Sequence, residues 1–179
     1  MPLEDIREEL RKKYEELKET SLMRDRLIAD IEAMKRAGMT ASPVYRYVVD
    51  HGQPVPKIPL TLEETRIVES ARDQVEPKIG ECFRNALMMW SFNHRLKYCE
   101  GYTSASKERV IIPIYHAWNS LNGKLVDVTP SERWHYYGVT FPDEVTERLL
   151  KRTVREREHN PILDDYVHNY EFLRERGYG

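Results

Sequence analysis

The sequence predicts an α+β fold, and three observations carry that reading. A helix signal that begins at a cysteine is followed by a block of strand signals. Within that block, Asn122-Gly123 separates two alternating apolar runs, a strong hairpin signature because both turn residues must take positive φ. Helix signals flank the block on both sides, so helices and strands hold separate stretches of chain instead of alternating. The chain has 179 residues, 40% hydrophobic and 32% charged, which suits one globular core under a heavily charged surface. Lys and Arg total 28 against 30 Asp and Glu, and this near balance argues against a nucleic-acid binder that relies on bulk charge. The first residues hold no apolar signal core and no stretch approaches a membrane span, so the expectation is a cytoplasmic protein without a membrane partner. Cys82 and Cys99 stand in unlike settings, which fits reduced thiols better than a disulfide.

Taken in order, residues 3 to 36 read as helical. Leu3, Leu10, Leu17 and Ile31 recur at seven-residue spacing, as do Ile6, Leu27 and Met34, but Lys13, Thr20 and Arg24 interrupt the seam. Two helices folding back near Thr20-Ser21, or one amphipathic helix laid on the domain, fit this pattern. Residues 1–40 are therefore expected to form a helical extension used for self-association or docking, and 41–179 the main domain. Gly38 and Pro43 end the extension, and "HGQPVPKIPL" reads as a connector. Thr61 and Glu64 make a capping-box pattern, continued by Ile67, Val68, Ala71 and Val75 until Pro77. After Gly80, Phe83, Ala86, Leu87 and Trp90 keep helical spacing, which puts Cys82 at or near that helix's first turn. "RLKYCEGYTSA", "RVIIPIYHAWNSL" and "KLVDVT" read as strands. Two helices are expected at the end. One spans about 143–158, and the other begins at Asn160-Pro161 with the stripe Ile162, Tyr166, Tyr170 and Leu173, closed by Gly177.

A two-residue loop at Asn122-Gly123 sets Leu121 opposite Lys124, Trp118 opposite Asp127 and His116 opposite Thr129. His116, Trp118, Ser120, Leu125, Asp127 and Thr129 then share one face, with His116 and Asp127 as diagonal neighbours about 7–8 Å apart at the backbone. A carboxylate reaches an imidazole nitrogen across that gap. By itself such a pair is most often an ordinary contact on a sheet face. Cys82 changes the weighing. A thiol at a helix N-terminus feels the positive end of the dipole, a nearby imidazole favours its thiolate, and an aspartate beyond the ring fixes tautomer and orientation.

The runs "GECFRNA", "YCEGYTSA", "PIYHAWNSLNGKLVDVTP" and "YYGVTF" resemble the small transglutaminase-like members of the papain-like cysteine hydrolase superfamily, of bacterial and phage type. The likeness covers about residues 77 to 142. It implies a papain-like core with Cys82 as nucleophile, His116 as base and Asp127 as orienting acid, in the family's order. It implies acyl transfer on a protein, peptide or small amide substrate, as protease, deamidase, amidase or transglutaminase, with no cofactor or metal required. One departure is Asp127-Val128-Thr129-Pro130, where such proteins often read Asp-Pro-Thr-Trp. The Cys82 backbone N–H is one expected oxyanion donor; neither Gln74 nor Gln53 has a spacing that marks it as the second. Trp118, on the His116 face, and Tyr137, in the "YYG" element, are the candidate substrate-binding residues, with core packing as the other reading of each. Cys99 reads as a buried structural thiol, and a zinc site of Cys82, Cys99 and His116 lacks paired ligand spacing. Two other functions stand beside the enzyme: a binding or scaffold module on the same fold, and nucleic-acid contact through the basic residues Arg148, Lys151, Arg152, Arg155 and Arg157. Glutamates interleave the last group, so a solvated helix face comes first.

Overall fold

A computed structural model of the chain describes residues 22–107 and 110–179. It is α+β, with a five-stranded antiparallel sheet and helices packed against it. The helices are α1 (22–36), α2 (Pro43–His51), α3 (Leu62–Val75), α4 (Cys82–Phe92), α5 (Asp143–Glu156) and the short α6 (Glu171–Arg174). The strands are β1 (Gln53–Pro54), β2 (Lys97–Ser104), β3 (Ile114–Leu121), β4 (Lys124–Val126) and β5 (Trp134–Thr140), in the order β1-β5-β2-β3-β4.

Turn chemistry sets the register of the β3–β4 hairpin. Asn122 and Gly123 take φ of 53° and 78°, and Leu121, Ser120 and Asn119 face Lys124, Leu125 and Val126 as the two-residue loop requires. The ladder stops one residue before Asp127. There the Asp127 carboxylate accepts the Thr129 N–H at 2.9 Å, an Asx turn that draws the chain out of the strand. Asn122 and Lys124 also bond the Glu64 carboxylate, which ties the hairpin tip to α3.

The two sheet edges are bridged by the segment after β1. The Val55 N–H donates to the Tyr136 carbonyl at 3.1 Å, and the Leu125 N–H donates to the Pro56 carbonyl at 3.3 Å. The sheet thus curls into a half-barrel whose inner face holds Cys99, Trp118 and Tyr136, with Val55 and Leu125 against them. Gly101 and Gly138 pair across β2 and β5 and clear room for the Trp118 ring. A Cβ at Gly138 would meet Trp118 at 2.5 Å, and one at Gly101 would meet it at 3.0 Å. The other face, with Tyr98, Tyr102, Ala117 and Tyr137, packs on Ala86, Leu87 and Trp90 of α4, on Val44 and Val48 of α2 and on Met23 and Leu27 of α1. α3 closes a second apolar cluster with Met89, Leu96, Leu121 and Val126.

Several elements differ from the sequence expectation. Pro43 does not merely end a helix; it begins α2, capped by the Ser42 hydroxyl on the Val44 N–H. The helix expected from Asn160-Pro161 is a series of turns, with regular helix only at α6. At its start the N–H groups of Ile162 and Leu163 donate to the buried Glu100 carboxylate at 2.6 and 2.9 Å. Asn169 and Tyr170 then turn left-handed. Of the N-terminal seam, Leu27 and Ile31 are buried in α1, while Leu3, Ile6, Leu10, Leu17 and the turn near Thr20 lie outside the described residues. No helix among the described residues is long and apolar enough to cross a membrane.

Candidate active site

Cys82 is the first residue of α4, and its N-cap, Glu81, makes no side-chain capping bond. The first turn therefore keeps uncapped N–H groups around the thiol, the positive end of the helix dipole. Asn85, fully buried one turn on, fixes this terminus. It accepts the Lys78 N–H at 3.1 Å and donates to the Lys78 carbonyl at 2.7 Å, clamping the loop that leads into the helix. It also donates to the Thr129 hydroxyl at 3.3 Å, which links α4 to the turn that carries Asp127.

His116 lies on β3 with only 3% of its surface exposed. Its Nε2 is 2.7 Å from Asp127 Oδ2. Cys82 lies close enough to the ring for its side chain to act on the imidazole's charge. The Tyr136 hydroxyl donates to the same Asp127 oxygen at 2.7 Å, so each carboxylate oxygen is engaged. Burial works against charge on His116, but the hydrogen bonds and charges of Asp127 and Cys82 outweigh it and raise the pKa to about 9. Burial also opposes charge on Asp127; the His116 contact, the Tyr136 hydroxyl and the Thr129 N–H outweigh it and hold the carboxyl below its ordinary value. Tyr136 is pushed well above the ordinary phenol range, chiefly by burial and then by the Asp127 charge, so it remains a donor.

The Trp118 indole lies beside the imidazole, with ring centres 6.4 Å apart and planes 20° apart. Its Nε1 is buried without a hydrogen-bond partner. Tyr136 stands edge-on to both rings, at 6.3 Å from His116 and 5.3 Å from Trp118. Tyr137 alternates away from this face and packs in the α1–α2 core beside Gly52. The residue of the "YYG" element turned toward the site is Tyr136. Cys99 is fully buried, its sulfur 3.3 Å from the Thr140 hydroxyl. Burial pushes its pKa up to about 12, so it stays a thiol at neutral pH. Gln53 lies on β1 and Gln74 is exposed on α3. Among the described residues no three His, Cys, Asp or Glu side chains converge to hold a metal ion.

A cavity of about 390 Å³ lies away from this group, between α5 and α6, and Arg148, Lys151, Arg152 and Arg155 line it with Phe172 and Glu171. Carboxylates already meet three of those cations: Lys151 pairs with Glu147, Arg152 with the buried Asp165 and Arg155 with Glu156. Sequence reasoning missed Asn85 as the clamp and the Tyr136 hydroxyl as a partner of Asp127. The three-residue helical spacing from Cys82 was an available signal for Asn85, whereas strand alternation shows only that Tyr136 and Tyr137 face opposite sides, not which one faces the site. No family model, curated protein or solved structure matches the chain.

Proposed function

We propose that the protein is a cysteine acyl-transfer enzyme with a papain-like, transglutaminase-like core, acting on an amide of a protein, peptide or small molecule. The observation that carries this reading is the buried His116–Asp127 pair, with Cys82 acting on the same imidazole from an uncapped helix start. A protonated His116 beside the sulfur favours the thiolate. The thiolate adds to the carbonyl carbon, forming the C–S bond and moving the π pair to oxygen, where the first-turn N–H groups of α4 receive it. Collapse of the adduct breaks the C–N bond, and the amine leaves with the proton from His116. The neutral ring then takes a proton from water or an acceptor amine as it attacks the thioester; the C–S bond breaks and the thiolate–imidazolium pair returns. Asp127 holds the ring in place through both proton transfers.

The test compares the two thiols and then the three side chains. Iodoacetamide should alkylate Cys82 well below neutral pH and leave Cys99 untouched. Cys82→Ala should abolish acylation by an activated ester and His116→Ala should nearly do so, while Asp127→Ala should retain more. Joining His116→Ala to Cys82→Ala should add almost nothing. A Cys82 that reacts like a free thiol, or full acylation in a folded Cys82→Ala variant, sinks this reading and leaves the binding-module reading standing.

A further inference from the structure

The cavity of about 390 Å³ between α5 and α6 draws opposite charges from its two sides. Arg148, Lys151, Arg152 and Arg155 come from α5, and Glu171 and Glu175 from α6 and its C-cap. Apolar side chains complete the lining: Val145 and Leu149 from α5, Phe172 from α6, and Ile162 from the turns between them. Most of the charges are already matched. Lys151 pairs with Glu147, Arg152 with Asp165, Arg155 with Glu156 and Glu175 with Arg176. Two side chains are left over. Among the described residues, neither the Arg148 guanidinium nor the Glu171 carboxylate meets an ion-pair or hydrogen-bond partner, and the two do not reach each other although they line one cavity. The lining around them is held in place. Arg152 also donates to the Pro161 carbonyl at 3.2 Å, and the Ile162 N–H is anchored on Glu100.

We propose that this cavity binds an apolar α-amino acid, with its carboxylate on Arg148, its ammonium on Glu171 and its side chain against Leu149, Ile162 and Phe172. An arginine fork matches a carboxylate with two parallel hydrogen bonds. A molecule that carries both charges on one carbon can serve two side chains that do not reach each other. The volume lies in the range of small-molecule sites, and an apolar lining with a few placed charges is their usual make-up. A phosphate group suits the cavity less. Three of the four cations already have carboxylates, and Glu171 and Glu175 would repel a polyanion. A fatty acid would cover Glu171 without offering it a partner, which costs free energy. The site is separate from Cys82 and goes beyond the acyl-transfer reading, so neither depends on the other.

The experiment titrates the full chain with L-phenylalanine and follows the Ile162 and Phe172 amides by NMR. The expected Kd is about 1 mM, the ligand efficiency of so small a molecule. Phenylpropionate lacks the ammonium and phenylethylamine lacks the carboxylate. Each should bind about threefold more weakly, the scale of one exposed charge contact. Glycine, without the ring, should lose at least about tenfold. Arg148→Gln should bring phenylalanine down to the affinity of phenylethylamine and leave the amine unchanged. Glu171→Gln should bring it down to that of phenylpropionate. Both side chains are exposed, circular dichroism checks the fold, and the ligand series on the unaltered chain stands without either variant. No shift at tens of millimolar, equal affinities for the three aromatic ligands, or charge preferences that survive in the variants overturns the site. Tighter binding of inorganic phosphate than of phenylalanine overturns it too, in favour of a simple anion site.

Discussion

Asp127 accepts hydrogen bonds from His116, Tyr136 and the Thr129 backbone, and each does different work. The Thr129 contact shapes the turn, the His116 contact orients the imidazole and does most to keep the carboxylate charged, and the Tyr136 hydroxyl adds to that. Tyr136→Phe should therefore raise the Asp127 pKa and lower that of His116, read by NMR titration of the ring. Acylation should slow by about tenfold, the size of one charge-assisted hydrogen bond. The His116 pKa is raised from 6.5 to about 9, so its stabilising share is complete below 6.5 and is lost as pH rises through 9. Asp127, with a lowered pKa, adds a share present above its ordinary value of 3.8 and lost as pH falls through the lower folded one. Urea unfolding of the wild type should weaken between pH 6.5 and 9 by on the order of 2–3 kcal/mol, and His116→Ala should flatten that slope. The His116–Asp127 pair was legible because Asn122-Gly123 counts residues outward from the turn. Tyr136 could not be told from Tyr137, since that needs the phase of β5, and no local signal gives it.

Among the elements, those with their own punctuation were readable. Thr61 and Glu64 make the reciprocal capping bonds that their spacing predicts, and α5 begins at Asp143 as expected, ending at Glu156 within two residues of the expected end. The elements that escaped are set by distant partners. β1 exists because Gln53 and Pro54 pair with Gly138 and Tyr137, and the stripe from Ile162 is tied to Glu100 at its start and broken by left-handed backbone at Asn169 and Tyr170. Gly138 shows how tightly the elements join. A methyl there would meet the Glu100 carbonyl at 2.4 Å and Trp118 at 2.5 Å. Gly138→Ala should cost about 2–3 kcal/mol in chemical denaturation and shift Trp118 fluorescence, as overpacking forces the indole off the sheet.

For the whole molecule, one buried carboxylate fastens the C-terminal chain to the sheet. Glu100 accepts the Tyr98 and Tyr115 hydroxyls as well as the Ile162 and Leu163 N–H groups. Burial raises its pKa, and those four donors pull it back. Glu100→Gln replaces one acceptor with an amide donor that faces other donors, so it should destabilise the protein by about 1–3 kcal/mol. Hydrogen exchange should then quicken at Ile162 and Leu163 ahead of β2 and β3; uniform loss of protection would show that the carboxylate serves the sheet and not the attachment. The bridge after β1 has a consequence of another kind, for the order of assembly. The β3–β4 hairpin closes over two residues, whereas Gln53 waits for Gly138, almost half the chain away. Loop-closure entropy makes the short pairing early and the long one late. On a ribosome, Cys82, His116 and Asp127 all emerge before β5, so the growing chain carries these three side chains while Tyr136, the other side-chain partner of Asp127, is still missing. The finished site is thus timed by the last strand of the sheet, and a chain that stops short of Thr140 never completes it.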